Sequence, residues 1–206
     1  MERLFEGLKR FCQITYPQYR PLFEQLSGGQ QPHTLFIACS DSRVHPALIT
    51  DSDPGELFVI RNVANIIPPY PSPADPAGTL AAVEYAVQVL GVKNIVVCGH
   101  SNCGGCRALL DEEASKSLPR TREWLKLARA AKEQAQKRHE KTGGISLYRL
   151  IEQENIILQM RNLLSHPFIR DKQDKGDLQV YGWYYDIGRG EVLNYNSSHR
   201  QFESIS

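Results

Sequence analysis

The sequence has no long apolar run, no basic stripe and few cysteines. No apolar stretch approaches the roughly 18 residues that a bilayer span needs, and the first ten residues lack the apolar core of a signal peptide. The formal net charge is +1, and no basic stripe is interleaved with aromatic residues. These absences predict a protein that binds neither membrane nor nucleic acid. The contents of 41% hydrophobic and 23% charged residues are typical of a globular protein.

The five cysteines are odd in number, and their spacing does not suggest a disulfide framework. Such usage is typical of a reducing compartment, where thiols more often bind metals or take part in chemistry. We therefore expect a cytoplasmic protein. Its 206 residues suffice for one domain with a full core. We predict that this domain comprises a helical N-terminal arm, residues 1–29, and an α/β core, residues 33–206.

Strand-like apolar runs and helix-like periodicity alternate along the chain. Strands are predicted at 33–38, 57–60, 94–99, 178–186 and 191–194. Helices are predicted as two short ones within 1–26, then at 77–90, at 104–110, within 121–141, at 145–164 and from Pro167 onwards. The proline-rich segment 66–77 is predicted to be a loop. This order predicts an α/β fold: a mainly parallel β-sheet flanked by helices, with an antiparallel edge hairpin.

Cysteine and histidine side chains follow two of the predicted strands. Cys39 ends the first strand, and His100 and Cys103 follow the strand at 94–99. Any one of them alone would more often be a buried packing residue. In open α/β sheets, however, ligands bind beyond the carboxyl ends of the strands, so the three can converge if the strands are neighbours. Two sulfurs and an imidazole suit zinc, and three protein ligands leave the fourth position that catalytic sites keep open.

A carboxylate and a guanidinium follow the first of these cysteines. Asp41 could complete a zinc tetrahedron as a fourth ligand, or accept a hydrogen bond from a metal-bound hydroxide. Arg43 could hold it in the second state through a bidentate contact. The alternative is that Asp41 and Arg43 form a surface ion pair that contributes little to the stability of the fold.

The remaining cysteines have other interpretations. Cys103 and Cys106 form a CxxC spacing that could indicate redox chemistry, but this requires Cys103 to be free of metal. Cys12 and Cys98 fall inside apolar patterns and are predicted to be packing residues.

Three motifs together resemble those of the β-class carbonic anhydrases. They are Cys39-Ser40-Asp41-Ser42-Arg43, Arg61-Asn62-Val63-Ala64-Asn65 and Gly99-His100-Ser101-Asn102-Cys103-Gly104-Gly105. The likeness extends over nearly the whole chain. It implies one zinc ion per chain on Cys39, His100 and Cys103, with Asp41 and Arg43 as a catalytic dyad. The implied reaction is the reversible hydration of CO2 to bicarbonate and a proton by a zinc-bound hydroxide.

The resemblance also implies a substrate site. Gln30 would donate a hydrogen bond to the substrate, and Gly104 would contact it. Phe58, Val63 and Tyr85 match an apolar pocket that the family builds across a dimer interface, so a homodimer or larger homo-oligomer is expected. From the residues alone, these three would be core residues.

One branch of the family is regulated by bicarbonate at a second site that includes a tryptophan shortly before the first ligand. Phe36 stands at the matching position and Ala38 precedes the ligand, so the indole donor is missing. We therefore predict the plant-like, constitutively open branch.

Several alternatives stay open at this point. The same site could hydrolyse another small linear molecule such as CS2, or Asp41 could be a permanent fourth ligand in a non-catalytic zinc module. His33 and His45 are candidate proton carriers by residue type alone, with packed or surface roles as the alternative.

Overall fold

The computed structural model describes residues 1–71, 77–111, 113 and 115–205. Its centre is a six-stranded sheet, whose strands are β1 (Thr34–Cys39), β2 (Leu57–Asn62), β3 (Asn94–His100), β4 (Gln179–Asp186), β5 (Glu191–Asn196) and β6 (Gln201–Ser204). The strand order is β2-β1-β3-β4-β5-β6. The first four strands are parallel, and β5 and β6 continue the sheet antiparallel at one edge. The predicted α/β fold is confirmed.

Helices flank this sheet. They are α1 (Glu2–Arg10), α2 (Tyr16–Leu26), α3 (Pro46–Thr50), α4 (Ala77–Glu84), α5 (Gly104–Leu110), α6 (Pro119–Leu125), α7 (Arg129–Thr142), α8 (Leu147–Ser165) and α9 (Pro167–Asp174). A π-helical turn, Tyr85–Val89, continues α4, and a 3₁₀ turn, Lys126–Ala128, joins α6 to α7. Within the described part of the chain, no helix combines the length and apolarity that crossing a membrane requires.

The central strands are buried on both faces. Every residue of β1 is buried, and β3 is buried from Ile95 onwards. Such continuous apolar runs are typical of parallel strands that are covered by helices on both sides. Helix α8 packs closely against β3 and β4 because glycine stands at the contact. A Cβ atom at Gly99 would lie 2.6 Å from Ile156 Cγ1, and one at Gly182 would lie 2.4 Å from Met160 Sδ.

The central strands meet the condition under which Cys39, His100 and Cys103 can converge, because the two strands that lead to them are neighbours. Strands β1 and β3 are parallel neighbours, and Ala38 pairs with Cys98. Their carboxyl ends, at Cys39 and His100, therefore lie at the same edge of the sheet.

The N-terminal prediction needs two corrections. Helices α1 and α2 are joined by a π-helical turn, Phe11–Thr15, so residues 2–26 form one continuous helix instead of two separate ones. Pro17 and Pro21 lie within its second half without ending it. Cys12 is exposed on this helix and is not a packing residue within the chain, whereas Cys98 is fully buried as predicted.

The C-terminal edge also extends beyond the prediction. The last predicted strand continues to Asn196, and an unpredicted β6 pairs with it. Its sequence, Gln-Phe-Glu-Ser, contains one strongly apolar residue, so it carries little strand signal. In the predicted loop, residues 66–71 form neither helix nor strand, whereas 72–76 lie outside the described residues.

Candidate metal centre

Two cysteines and a histidine converge at the carboxyl edge of the sheet. Cys39 ends β1, His100 ends β3, and Cys103 is the residue immediately before α5. Their ligand atoms all lie within 4.8 Å of one another, and all three residues are buried. Asn102 has a φ of 56°, and this left-handed conformation turns the chain so sharply that Cys103 reaches the cluster. The predicted convergence is confirmed.

The histidine is oriented for metal binding. His100 Nδ1 lies 3.0 Å from the carbonyl oxygen of Ser101. Because a carbonyl oxygen only accepts hydrogen bonds, Nδ1 carries the hydrogen and Nε2 keeps a free lone pair. Nε2 is buried and has no hydrogen-bond partner among the residues that the structure describes. A buried ring nitrogen without a partner is costly unless it binds something, and a metal ion would use this lone pair.

The two sulfur atoms are spaced for zinc. Cys39 Sγ and Cys103 Sγ are 3.9 Å apart. Two Zn–S bonds of about 2.3 Å at a tetrahedral angle would separate the sulfurs by about 3.8 Å. A hydrogen bond with Cys103, together with burial, raises the pKa of the Cys39 thiol to about 12. The residues therefore fit a zinc ion, whose binding must displace the thiol protons.

A carboxylate and a guanidinium form a fixed pair beside these ligands. Arg43 donates from Nε to Asp41 Oδ1 at 2.9 Å and from Nη2 to Oδ2 at 2.8 Å. These bonds hold the pKa of Asp41 well below its usual range. Arg43 also donates to the carbonyl oxygen of Asn102 at 3.2 Å, which connects the pair to the loop before Cys103. Asp41 Oδ2 lies 3.9 Å from His100 Nε2, so the carboxylate faces the ligands.

Comparisons with known proteins agree with this geometry. Residues 34–192 match the family model described as carbonic anhydrase. The solved structure of the β-carbonic anhydrase CcaA superposes with a TM-score of 0.93 at 44% identity, covering 99% of this chain and 98% of that one. The chain belongs to the β-class carbonic anhydrases. It is therefore an enzyme, and the family and the Cys-His-Cys cluster support CO2 hydration.

Two further relatives extend the comparison. A carbonic anhydrase of Synechocystis sp. is 46% identical over 197 residues, which are 95% of this chain and 71% of the relative. A tetrameric β-carbonic anhydrase of the fungus Sordaria macrospora has a TM-score of 0.82 at 31% identity, covering 94% of this chain and 95% of that one.

Three of the substrate-site residues expected for a β-class enzyme lie away from the cluster of their own chain. Phe58 pairs with Leu35 near the amino ends of the parallel strands, whereas Cys39 pairs with Asn62. Four strand residues, or about 13 Å, separate these two levels. The ring of Tyr85 lies 6.1 Å from that of Phe58. Gln30 is exposed before the start of β1 and so lies at the same distant edge.

The other two expected substrate residues lie at the metal loop. Gly104 is the exposed first residue of α5, directly after Cys103. Val63 is 39% exposed, and its Cγ1 would lie 3.0 Å from a Cβ atom at Gly105. The absence of a side chain at Gly105 thus allows the turn carrying Val63 to approach the metal loop. The residues alone predicted core positions for Phe58, Val63 and Tyr85. Val63 and Tyr85 are exposed instead, whereas Phe58 is partly buried and packs against the main core cluster.

The two candidate proton carriers have local contacts. His45 Nδ1 accepts a hydrogen bond from the backbone of Leu48 and so caps α3. His33 Nδ1 lies 2.6 Å from the hydroxyl oxygen of Thr34 at the start of β1. His33 therefore lies at the sheet edge opposite the cluster.

Sequence reasoning missed Glu152. This carboxylate is 5% exposed, and its Oε1 accepts a hydrogen bond from the backbone N–H of Cys103 at 3.0 Å. Its Oε2 accepts from the hydroxyl of Tyr184 at 2.9 Å. Burial raises the pKa of Glu152. A glutamate inside a helix of mixed composition carries no signal of burial, because its partners lie far away in the chain.

Proposed function

We propose that the protein catalyses the zinc-dependent, reversible hydration of CO2 to bicarbonate and a proton. Cys39, His100 and Cys103 would hold one zinc ion per chain. The observation that supports this most is the buried Nε2 of His100, which has no partner in the described part of the chain and lies in one cluster with two thiols 3.9 Å apart. When bound, zinc supplies an ionisable water, because it lowers the pKa of that water from about 15.7 towards about 7.

Asp41 and Arg43 would orient the attacking water. Arg43 holds Asp41 ionised, and an ionised carboxylate can only accept hydrogen bonds. Asp41 Oδ2 lies 3.9 Å from His100 Nε2. It is thus suited to accept a hydrogen bond from the water, which leaves a lone pair of the water oxygen directed at the carbon of CO2. The bidentate contact also opposes a role for Asp41 as a permanent fourth ligand, because it fixes the carboxylate in place and a move onto the metal would strain the bonds to Arg43.

A second copy of the chain would complete the substrate site. CO2 has no net charge or dipole, so apolar side chains suit it. Phe58 and Tyr85 are partly exposed near the amino ends of the strands, about 13 Å from the level of Cys39. In a homo-oligomer they could line the cluster of a neighbouring subunit, and Gln30 could donate to the oxygen on which negative charge develops. Val63 and Gly104 would contribute from beside the metal loop.

Two observations support the homo-oligomer. The helical arm carries apolar side chains that are more than half exposed, Leu4, Phe5, Leu8 and Ile14. An apolar face of this kind usually marks a protein–protein contact. A related β-carbonic anhydrase is tetrameric. We propose at least a dimer, with residues 1–29 as an arm and 33–206 as the α/β core. A cytoplasmic location stays a prediction from the cysteine usage.

We also propose the constitutively open branch of the family. Phe36 is fully buried in β1, and its ring packs edge-to-face on Trp183 at 5.8 Å. A phenyl ring offers no hydrogen-bond donor to a bicarbonate ion. The intact contact between Asp41 and Arg43 agrees with an open site.

Stopped-flow measurement of CO2 hydration tests the proposal directly. We expect activity in the zinc-loaded protein, loss of activity with a chelator, recovery on adding zinc, and little activity in Cys39→Ser. Activity on CS2 without activity on CO2 would favour the alternative substrate. A zinc-loaded protein that hydrates nothing would contradict the proposal.

A further inference from the structure

Helix α8 carries a row of polar residues that is buried instead of solvent-exposed. This polar face consists of Glu152, Asn155, Gln159 and Asn162, and it is continued by His166, the residue that directly follows the helix. The spacing of three and four residues puts them on one side of the helix, and each is at most 7% exposed. Buried polar groups are costly unless they are hydrogen-bonded, so their partners indicate what the face is for.

Each of these side chains bonds to a backbone group of the metal loop or of the segment after β2. Glu152 accepts from the N–H of Cys103 at 3.0 Å. Asn155 Nδ2 donates to the carbonyl oxygen of Ala64 at 2.9 Å. Further along, Gln159 accepts from the N–H of Ile67, Asn162 donates to the carbonyl of Ile67, and His166 donates to the carbonyl of Pro68. One helix thus binds both the metal loop and the segment after β2.

The segment after β2 needs such support because its backbone is strained. Ala64 has a φ of 61° and Asn65 a φ of 46°, a left-handed conformation that residues other than glycine rarely adopt. Such a turn persists only where its surroundings hold it. Asn155 holds it from the core side, and Trp124 Nε1 donates to the carbonyl oxygen of Val63 at 2.8 Å from the outer side. Val63 thereby keeps its side chain beside the metal loop.

We propose that the polar face of α8 is the positioning element of the active site. Glu152 holds Cys103 for the metal, and Asn155, with Trp124 opposite, holds the turn that carries Val63 for the substrate. This inference rests on the proposed zinc-dependent hydration. It predicts two separate effects. Substitutions at Glu152 should change the zinc affinity, and substitutions at Asn155 should change the KM for CO2.

The first test compares Glu152→Ala with Glu152→Gln. Chelator competition gives the zinc affinity, and the absorption of the cobalt(II)-substituted protein reports on the sulfur ligands. Outer partners of metal ligands typically change affinity by about 10- to 100-fold, and we expect a loss of this size in Glu152→Ala. Glu152→Gln keeps an oxygen for the N–H of Cys103 and should recover most of the affinity. Unchanged affinity and an unchanged cobalt spectrum in Glu152→Ala would overturn this half of the proposal.

The second test uses Asn155→Ala, with Trp124→Phe as a variant that removes the outer contact of the same turn. Both should bind zinc as the wild type does. Their kcat/KM for CO2 should fall about tenfold or more through a higher KM, since small displacements of positioning groups are costly. Loss of zinc affinity in these variants, or an unchanged KM in both, would contradict the assignment.

A matched control separates positioning from simple stability. Leu163 is a fully buried apolar residue of the same helix. Leu163→Ala should lower the melting temperature and leave both zinc affinity and KM unchanged. If the Glu152 and Asn155 variants behave only like Leu163→Ala, the polar face is merely structural and the inference fails. If the wild type neither binds zinc nor hydrates CO2, the proposed function is what has failed.

Discussion

Arg43 and Asp41 are joined by two parallel hydrogen bonds, Nε to Oδ1 at 2.9 Å and Nη2 to Oδ2 at 2.8 Å. The backbone of Arg43 adds a third contact, in which its N–H donates to Asp41 Oδ1 at 3.0 Å. This arrangement fixes both carboxylate oxygens. It thereby decides whether Asp41 contacts the water of the proposed reaction or becomes a fourth ligand itself.

Arg43→Lys tests this relationship. Lysine keeps the charge but cannot form the planar two-bond contact, so Asp41 should rotate towards the metal ligands. We expect kcat/KM to fall about 10- to 100-fold, the value of one or two hydrogen bonds to a charged group. Stopped-flow CO2 hydration measures it. Arg189→Lys, an exposed arginine 3.8 Å from Glu191, is the matched control and should have no effect. Full activity in Arg43→Lys would argue against the dyad.

Zinc binding should release protons. The hydrogen bond with Cys103 raises the pKa of Cys39 to about 12, and a hydrogen bond with Cys106 raises that of Cys103. At pH 8, well below the raised pKa, both thiols are protonated, whereas zinc binds thiolates. Titration calorimetry in buffers of different ionisation enthalpy should therefore show at least two protons released per zinc ion, two from the thiols and up to one more from the bound water, whose pKa falls towards about 7. Cys39→Ser should release about one fewer. Binding without proton release would mean that the thiols do not hold the ion.

The candidate metal ligands could be predicted from the sequence because each stands at or just after the end of an apolar strand. Cys39 and His100 end apolar strands, and parallel neighbours bring such ends together. The polar face of α8 could not be predicted in this way. Asn155 binds a carbonyl 91 residues away. A polar row along one side of a helix ordinarily indicates a solvent-facing surface.

The exposure of the apolar face of the N-terminal arm could not be predicted from the sequence either. Its apolar spacing predicted helices, but periodicity does not say whether the apolar face meets the same chain or another one. Cys12 fits the apolar pattern and is nevertheless exposed. Only the exposure of these apolar side chains in the folded chain reveals that the face is available for a partner.

Phe5→Glu tests the proposed role of the arm. Phe5 is 57% exposed on α1, and a charge there should prevent association with a second copy. If Gln30, Phe58 and Tyr85 act on a neighbouring subunit, the sedimentation coefficient and CO2 hydration should decrease together. Gln13→Glu adds the same charge at an exposed polar position of the same arm and should leave both unchanged. A fully active monomer would show that each chain has a complete site.

Glycine-to-alanine substitutions at two positions should have effects of opposite sign. A Cβ atom at Gly99 would lie 2.6 Å from Ile156 Cγ1 and would force α8 away from β3. Such overpacking typically costs about 1–3 kcal/mol. Gly78 is exposed in α4, and no atom of the described residues lies within 4 Å of its Cβ position. Alanine there should stabilise by about 0.4–1 kcal/mol, because it restricts the unfolded chain.

Urea denaturation of the zinc-loaded proteins measures both free energies of unfolding. Because α8 also carries Glu152, its displacement in Gly99→Ala should weaken zinc binding as well, whereas Gly78→Ala should bind zinc normally. A Gly99→Ala protein as stable as the wild type would mean that α8 tolerates displacement. The close packing of α8 on β3 would then not be what holds the polar face against the metal loop.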